Sequence, residues 1–440
     1  MRKKKIVVIG GGLAGLTAAF YLQQKGFSVC VLERQKVFGG LASGFRFPGW
    51  DWYAEKTVHH IFENDLDIIN FAKDLGWGDR IIFKKPLTGS VYLQKDRCRF
   101  FALDTPLAFL KFPYLSFSAK LRTGFLIFLL KILPYLKIFE KITSLEFIKR
   151  FMGDQSYKIM WQPLFRKKFG KYAGKILSSF FWARIKKRTA RLGYFKGGFQ
   201  MFIDHIVSLL KRQGVIVLSD VEVLRILRKK KLEVEYSKDG RKRKMEADYV
   251  VAALQLPIFL KLAEHLFKRP LLSRLKSVEY MNAISLAVES SQPMIKDFYW
   301  INNSIDEFDF TGVFQHTNFI DKRFYAGRHF GYVGWYCDFD DNIWKMNDAQ
   351  IFEYVAPFIK KLNPDFSFKD VKYKVFRAVF AQPIYDKKFI QANIQISTPV
   401  KGLYFAGFEL SYPYDRGTNY AVKVGRECAE AIIERESAGG

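Results

Sequence analysis

Three glycines at fixed spacing, Gly10, Gly12 and Gly15, stand between a short β-branched run, Ile6-Val-Val-Ile9, and a helix-forming stretch from Leu16 to Gln24. These residue types in this order suit the cradling of a pyrophosphate. Gly10 turns the chain sharply out of a strand, Gly12 lets the backbone approach a phosphate with no Cβ in the way, and Gly15 lets helix and strand pack closely. Leu13 and Ala14 lie where the helix begins, and its free N–H groups and partial positive charge face the anion. Gly26 stops the helix. Ser28-Val-Cys-Val-Leu32 then leads to Glu33, 18 residues after Gly15, where a carboxylate accepts ribose hydroxyls and disfavours a 2′-phosphate. A bound dinucleotide is therefore expected at this end of the chain.

The runs 6–9 and 28–32 read as strands buried in a parallel sheet, with the helix as their crossover. Met1-Arg-Lys-Lys-Lys5 before an apolar run imitates a secretory leader, but glycines interrupt the apolar part and the βαβ unit explains it better. No run of 18 apolar residues occurs, so no spanning helix is expected. The closing Ser437-Ala-Gly-Gly440 reads as a frayed end.

The 440 residues are 49% hydrophobic and 26% charged, which excludes a disordered chain and suffices for two or three packed units. The net charge of +28 points to an anionic partner surface. Cys30, Cys98, Cys337 and Cys428 lie far apart with no C-x-x-C pair, which argues against a disulfide scaffold or zinc ribbon and suits a reducing cytosol. The His and acidic residues show no metal-ligand spacing, and no serine nucleophile elbow is present.

Glu33-Arg34 is followed, six residues after Glu33, by Gly39-Gly40-Leu41-Ala42. Here the chain resembles the flavin-containing amine oxidoreductase superfamily, which includes amine oxidases, protoporphyrinogen oxidase, phytoene desaturases and UDP-galactopyranose mutase. The resemblance implies FAD, with the second glycine pair beside the pyrophosphate and ribityl chain. A second match is Gly197-Gly198 before a helix from Met201 to Arg212, followed by Val221-Glu-Val223; it implies that backbone at Val223 holds the adenine. Ala247-Asp-Tyr-Val-Val-Ala-Ala253 resembles the strand that returns to the nucleotide sheet. A third match is Gly402-Leu-Tyr-Phe-Ala-Gly407, the last strand, and Thr418-Asn419-Tyr420, the helix start that faces the flavin. Many relatives place an acid directly after the strand glycine. Here Phe408 intervenes, so Glu409 or a water would take the ribityl contact. No Cys lies between Gly407 and Thr418, which implies noncovalent FAD.

The fold implied is α/β: a discontinuous Rossmann-type FAD-binding domain (1–85, 190–255 and 395–440), an antiparallel-sheet substrate domain (256–394) and a helical insertion (100–190). From Phe100 to Met152 the insertion is rich in Phe, Leu and Lys and broken by Pro106, Pro113 and Pro134. Its pieces suit the plane of a membrane interface, aromatic side down. The other reading is a helical core with a basic solvent face. Gln155 to Ile203 holds twelve Lys or Arg and no acid, which favours an anionic membrane. Nucleic acid is not expected, because the aromatics form no RNP-like pattern. The expected place is the cytoplasmic side, peripheral on the inner membrane face.

Among candidate reacting groups, His59-His60-Ile-Phe62 resembles a mutase segment in which a His contacts the flavin, and the match falls on His60, with Glu63 replacing a second His. A structural His pair is the other reading. His316 is a polar island in an apolar strand region and one further candidate for the pocket lining. Arg377, Gln382, Pro383 and Tyr385 fall where relatives return toward the flavin, and Arg377 and Arg416 would meet a pyrophosphate under the mutase reading. The expected activity is FAD-dependent oxidation of a large apolar isoprenoid or tetrapyrrole, with dioxygen or a quinone as acceptor. The alternatives are a non-redox mutase acting on a nucleotide-sugar, an amine oxidase, which the positive charge disfavours for a polyamine, and a membrane scaffold with structural FAD.

Overall fold

The computed structural model of the chain describes residues 3–438. Met1 and Arg2 of the basic start, and Gly439 and Gly440 of the close, lie outside the described residues. Ser437 and Ala438 do not fray: they complete the helix Thr418–Ala438.

A five-stranded parallel sheet is built from stretches far apart in sequence. Its order is Ile216–Leu218, Ser28–Leu32, Lys5–Ile9, Tyr249–Ala252 and Leu403–Phe405. Val8, Val31, Val250 and Val251 are fully buried, as strands covered on both faces require. Helices Leu13–Gln24 and Thr418–Ala438 pack on it, and their backbones nearly touch: a Cβ on Gly425 would fall 2.2 Å from the Ala14 carbonyl oxygen. A separate antiparallel ribbon, Val221–Arg228, Leu232–Lys238 and Arg241–Ala247, starts beside the second strand.

The second large layer is a seven-stranded sheet in the order Lys372–Pro383, Tyr280–Ser290, His329–Cys337, Gly312–Phe314, Trp300–Asn303, Thr88–Gln94 and Arg97–Ala102. Two of its strands come from 88–102, outside the 256–394 stretch in which an antiparallel sheet was expected. They take Phe100 and Phe101 into the sheet, opposite Val91 and Ser90, and Trp300–Asn303 pairs in parallel with Thr88–Gln94. On one face Ile284, Leu286, Val333 and Trp335 pack against Val355, Phe358 and Ile359 of the Asp348–Leu362 helix. On the other face Ala287, Phe330, Tyr332 and Phe376 join the core beneath the first glycine turn.

Residues 105–188 form short helices. Thr143 and Glu146 close a capping box at the start of Ser144–Met152, and Ser116 caps the helix Phe117–Ile132. That helix turns its apolar stripe outward. Thr123 and Leu130 are buried, while Phe117, Phe125 and Phe128 are 69%, 64% and 59% exposed, and Leu121 and Ile132 are exposed with them. Spacings of 4, 4, 3 and 4 residues place all five on one side. The reading of this segment as an ordinary core with a basic solvent face therefore fails for the helix. Among the described residues no helix is long and apolar enough to cross a membrane.

Candidate active site

The first glycine turn is held by contacts that no other residue permits. Gly10 has φ +105°, and a Cβ there would lie 2.4 Å from the Ala253 carbonyl oxygen; a Cβ on Gly15 would lie 2.0 Å from the oxygen of Gly10. The second turn docks on the first through Gly39 N–H to Gly11 O at 2.9 Å. Between them runs an open strip of backbone: a Cβ on Gly12 would meet nothing nearer than Gly40 Cα, at 3.9 Å. Leu41 and Ala42 continue the second turn as a single 3-10 turn. Glu33 is buried beside the strip; its Oε2 accepts from Gly11 N–H at 2.6 Å and its Oε1 from Gln35 N–H at 2.8 Å. Each carboxylate oxygen retains a lone pair for a further donor. Arg34 points to solvent. The ribbon begins where Val221 N–H bonds Glu33 O at 2.9 Å, and Val223 follows at a bulge.

On the far side, the last strand reaches Gly407. Glu409 is buried, and its Oε1 accepts from Leu256 N–H and Tyr280 O–H, both at 2.8 Å. Its carboxylate thus anchors the start of the helix Leu256–Ala263. Its Oε2 is buried and unpartnered, and burial raises its pKa to about 7. Thr418 is buried at the helix start. Asn419 is turned away from the glycine turns: its Oδ1 accepts from Ile68 N–H and its Nδ2 donates to Asp67. Its side chain ties two helices together, so any contact of this helix start with the cofactor falls to its backbone. Tyr420 stacks on Tyr414, with ring centroids 4.9 Å apart. The open glycine strip, the adjacent Glu33 and the orphan oxygen of Glu409 fit FAD.

His59 and His60 are enclosed by protein yet keep partial accessibility, as side chains bordering an internal space do. His59 Nδ1 lies 2.7 Å from Thr57 O, and His60 Nδ1 lies 3.2 Å from the Tyr299 hydroxyl. Burial, then the Arg416 charge, lowers His59 to about 4. Burial, then His59, Arg188 and Arg184, lowers His60 to about 3. Both rings are neutral at neutral pH.

Three expectations fail. Arg377 lies on the helix-covered face of the large sheet, where it donates to Asp348 at 2.9 Å and to Met346 O at 2.6 Å. The strand alternation that aims Phe376 inward aims Arg377 away. Tyr385 is wholly buried, its hydroxyl donating to Tyr414 O at 3.1 Å, so its polar atom is spent on positioning the 411–414 turn. His316 lines no pocket; its Nε2 lies 2.8 Å from the Tyr325 hydroxyl within an aromatic core.

The structure adds groups that the sequence reading passed over. Lys168, Arg184 and Arg188, read as part of a membrane-facing charge run, gather with Asp415, Arg416 and Tyr336 near the two histidines. Glu55 is buried in the aromatic core and accepts from Tyr194 O–H and Phe199 N–H, each at 2.9 Å. Burial raises its pKa to about 8 from an ordinary 4.5. Folded Glu55 therefore holds a proton that the unfolded chain has released. Its contribution to stability is full below about pH 4.5 and is lost as pH rises through 8. Glu55→Gln is expected to flatten the decline of the urea midpoint between these limits; an unchanged slope would show that Glu55 ionises normally.

Among the described residues no cluster of three or more His, Cys, Asp or Glu is placed to hold a metal. Residues 13–433 match the family model "Flavin containing amine oxidoreductase". The chain is 36% identical over 81 residues to a 15-cis-phytoene desaturase of Narcissus pseudonarcissus, a match that takes in 18% of this chain and 14% of that protein. It is 37% identical over 67 residues to a 4,4'-diaponeurosporene oxygenase of Staphylococcus haemolyticus (14% of this chain, 13% of the other). The matches thus span well under two thirds of these relatives. Solved structures agree along almost the whole fold. A provisionally named protoporphyrinogen oxidase from Exiguobacterium sp. 255-15 superposes with TM-score 0.74 at 17% identity, covering 98% of this chain and 99% of the other. Putrescine oxidase bound to putrescine gives 0.75 at 14% identity, with 98% and 99% covered. The chain therefore belongs to the flavin-containing amine oxidoreductases and is an FAD-dependent oxidoreductase.

Proposed function

We propose that this enzyme oxidises a large, mainly apolar substrate taken from a membrane surface. The observation that carries this reading is the outward apolar stripe of the helix Phe117–Ile132. It is a patch that a monomer in water would hide, and the segments flanking the helix in sequence carry exposed Lys111, Lys137 and Lys141. The local similarity to phytoene desaturases supports an isoprenoid-like body. The neighbouring amine oxidases argue less, because an alkylammonium group would meet Lys168, Arg184, Arg188 and Arg416.

The chemistry that bound FAD would supply is that of a hydride acceptor. The glycine strip 10–15 and 39–42 would hold its pyrophosphate, Glu33 its ribose, and Glu409 Oε2 a further hydroxyl. The protein's own part is orientation and dryness. Neutral His59 and His60 offer a donor or an acceptor without charge, and Trp300 and Tyr414 supply apolar walls. Burial and the neighbouring cations disfavour protonation of both imidazoles, so their part is to orient the substrate and not to take a proton from it.

The test is anaerobic mixing of the FAD-loaded enzyme with isoprenoids or porphyrinogens in vesicles, and separately with primary amines. Bleaching of the visible flavin band is expected with the first group only. Bleaching by amines alone would refute the substrate class.

A further inference from the structure

Three cations, Lys168, Arg184 and Arg416, meet around one carboxylate, and a fourth, Arg188, stands close by. Asp415 Oδ2 accepts from Lys168 at 2.6 Å and from Arg184 at 2.7 Å, and these charges lower its pKa to about 2 against the opposing effect of burial. Arg416 donates to the Tyr336 hydroxyl at 3.1 Å, and its Nε is buried without a partner. Arg188 stands one turn beyond Arg184, at the end of the helix Ser178–Lys187. It gives one nitrogen to Thr88 Oγ1 at 2.9 Å and lies 4.9 Å from the Trp300 ring centre. Among the described residues it forms no ion pair. Trp300 also meets His60, with ring centres 5.9 Å apart, so Arg188 and the histidine flank one indole.

Lys168, Arg184 and Arg416 share the single charge of Asp415, Arg184 from the exposed side, while Arg188 feels only the more distant Asp104; so large an excess of positive charge around enclosed groups is costly unless an anion joins it. Guanidinium groups with free nitrogens present the planar fork that binds carboxylate or phosphate. The orphan Nε of Arg416 and the unpaired Arg188 are such nitrogens. The geometry points to an anion subsite: the substrate's apolar body ends in a phosphate or carboxylate that Arg188, Arg184 and Arg416 hold beside His59 and His60. This rests on the proposed apolar-substrate reading and narrows it to an anionic amphiphile.

The experiment is calorimetric titration of the FAD-loaded protein with n-octyl phosphate, octanoate, octanol and octylamine. It uses a background in which Phe117, Phe125 and Phe128 are replaced by Ser, so that the exposed stripe contributes nothing. One of the two anions is expected to bind at least tenfold more tightly than octanol, with octylamine weakest. A preference for octyl phosphate over octanoate assigns the head group as phosphate, and the reverse assigns it as carboxylate. Arg188→Gln should abolish the discrimination between anion and alcohol while flavin content stays full, Arg188→Lys should restore part of it, and Arg184→Gln should weaken it. The inference is overturned if octanol or octylamine binds as well as the anions, if none of the four binds, or if Arg188→Gln changes nothing. Flavin bleaching by neutral isoprenoids, measured separately, reports on the apolar-substrate reading itself.

Discussion

Gly12→Asp is expected to purify as a folded but colourless protein. A Cβ at Gly12 meets no atom nearer than 3.9 Å, so the substitution leaves the turn and the helix Leu13–Gln24 in place. The new carboxylate instead projects into the strip between the two glycine turns, where it displaces a phosphate and repels its charge. A loss of at least 100-fold in FAD affinity, about 2.7 kcal/mol, is expected. The check is the flavin absorbance of the purified protein, with reconstitution from apoprotein and the thermal midpoint of the apoprotein measured beside wild type. Gly15→Val should fail differently. Its Cβ would fall 2.0 Å from the Gly10 carbonyl oxygen and 3.2 Å from Ala253 Cβ, so the helix must lift from the sheet and the protein itself is lost. Retention of normal yellow colour by Gly12→Asp would refute the placement of the cofactor along this strip.

The triple replacement of Phe117, Phe125 and Phe128 by Ser should abolish binding to anionic vesicles while leaving flavin content and thermal midpoint unchanged. All three rings are mostly exposed, so their removal costs the folded chain little. Burying a Phe side chain is worth roughly 1.5–3 kcal/mol, and three rings together about 4–9 kcal/mol. Forfeiting even half of that weakens binding by ~100-fold. The lysines flanking the helix in sequence add attraction to lipid phosphates, so wild-type binding should weaken in high salt. Sedimentation with vesicles of anionic and of neutral lipid reads both effects. Full binding by the triple variant would show that the stripe serves another partner.

The glycine turns were legible in the sequence because local conformation alone demands them. Strand, turn, helix and acid lie within 33 residues, and positive φ and close backbone approach exclude other residue types at Gly10 and Gly15. The return strands Tyr249–Ala252 and Leu403–Phe405 were legible too, through the resemblance of 247–253 and 402–407 to segments of the flavin family. The seven-stranded sheet was read only in part, since pairing Trp300–Asn303 with Thr88–Gln94 joins segments some 200 residues apart, and no local pattern encodes such a partner.

The candidate site divides in the same way. His59 and His60 stood out by type, whereas Arg377 and Tyr385 were chosen by position along the chain and went astray. One step along a strand reverses a side chain's face, and Arg377 fell on the wrong one. The run of twelve cations gave no sign of which would turn inward. Helical period and the fold of 162–188 brought Lys168 and Arg184 to Asp415, a residue more than 200 positions away, and Arg188 to Trp300. The dinucleotide turn, the flavin family and the apolar, basic segment could be read from the chain alone, because each rests on short-range pattern. Which apolar residues remain facing out and which charges are enclosed came from the packed fold, because burial is set by what packs against a surface and not by the residues that form it.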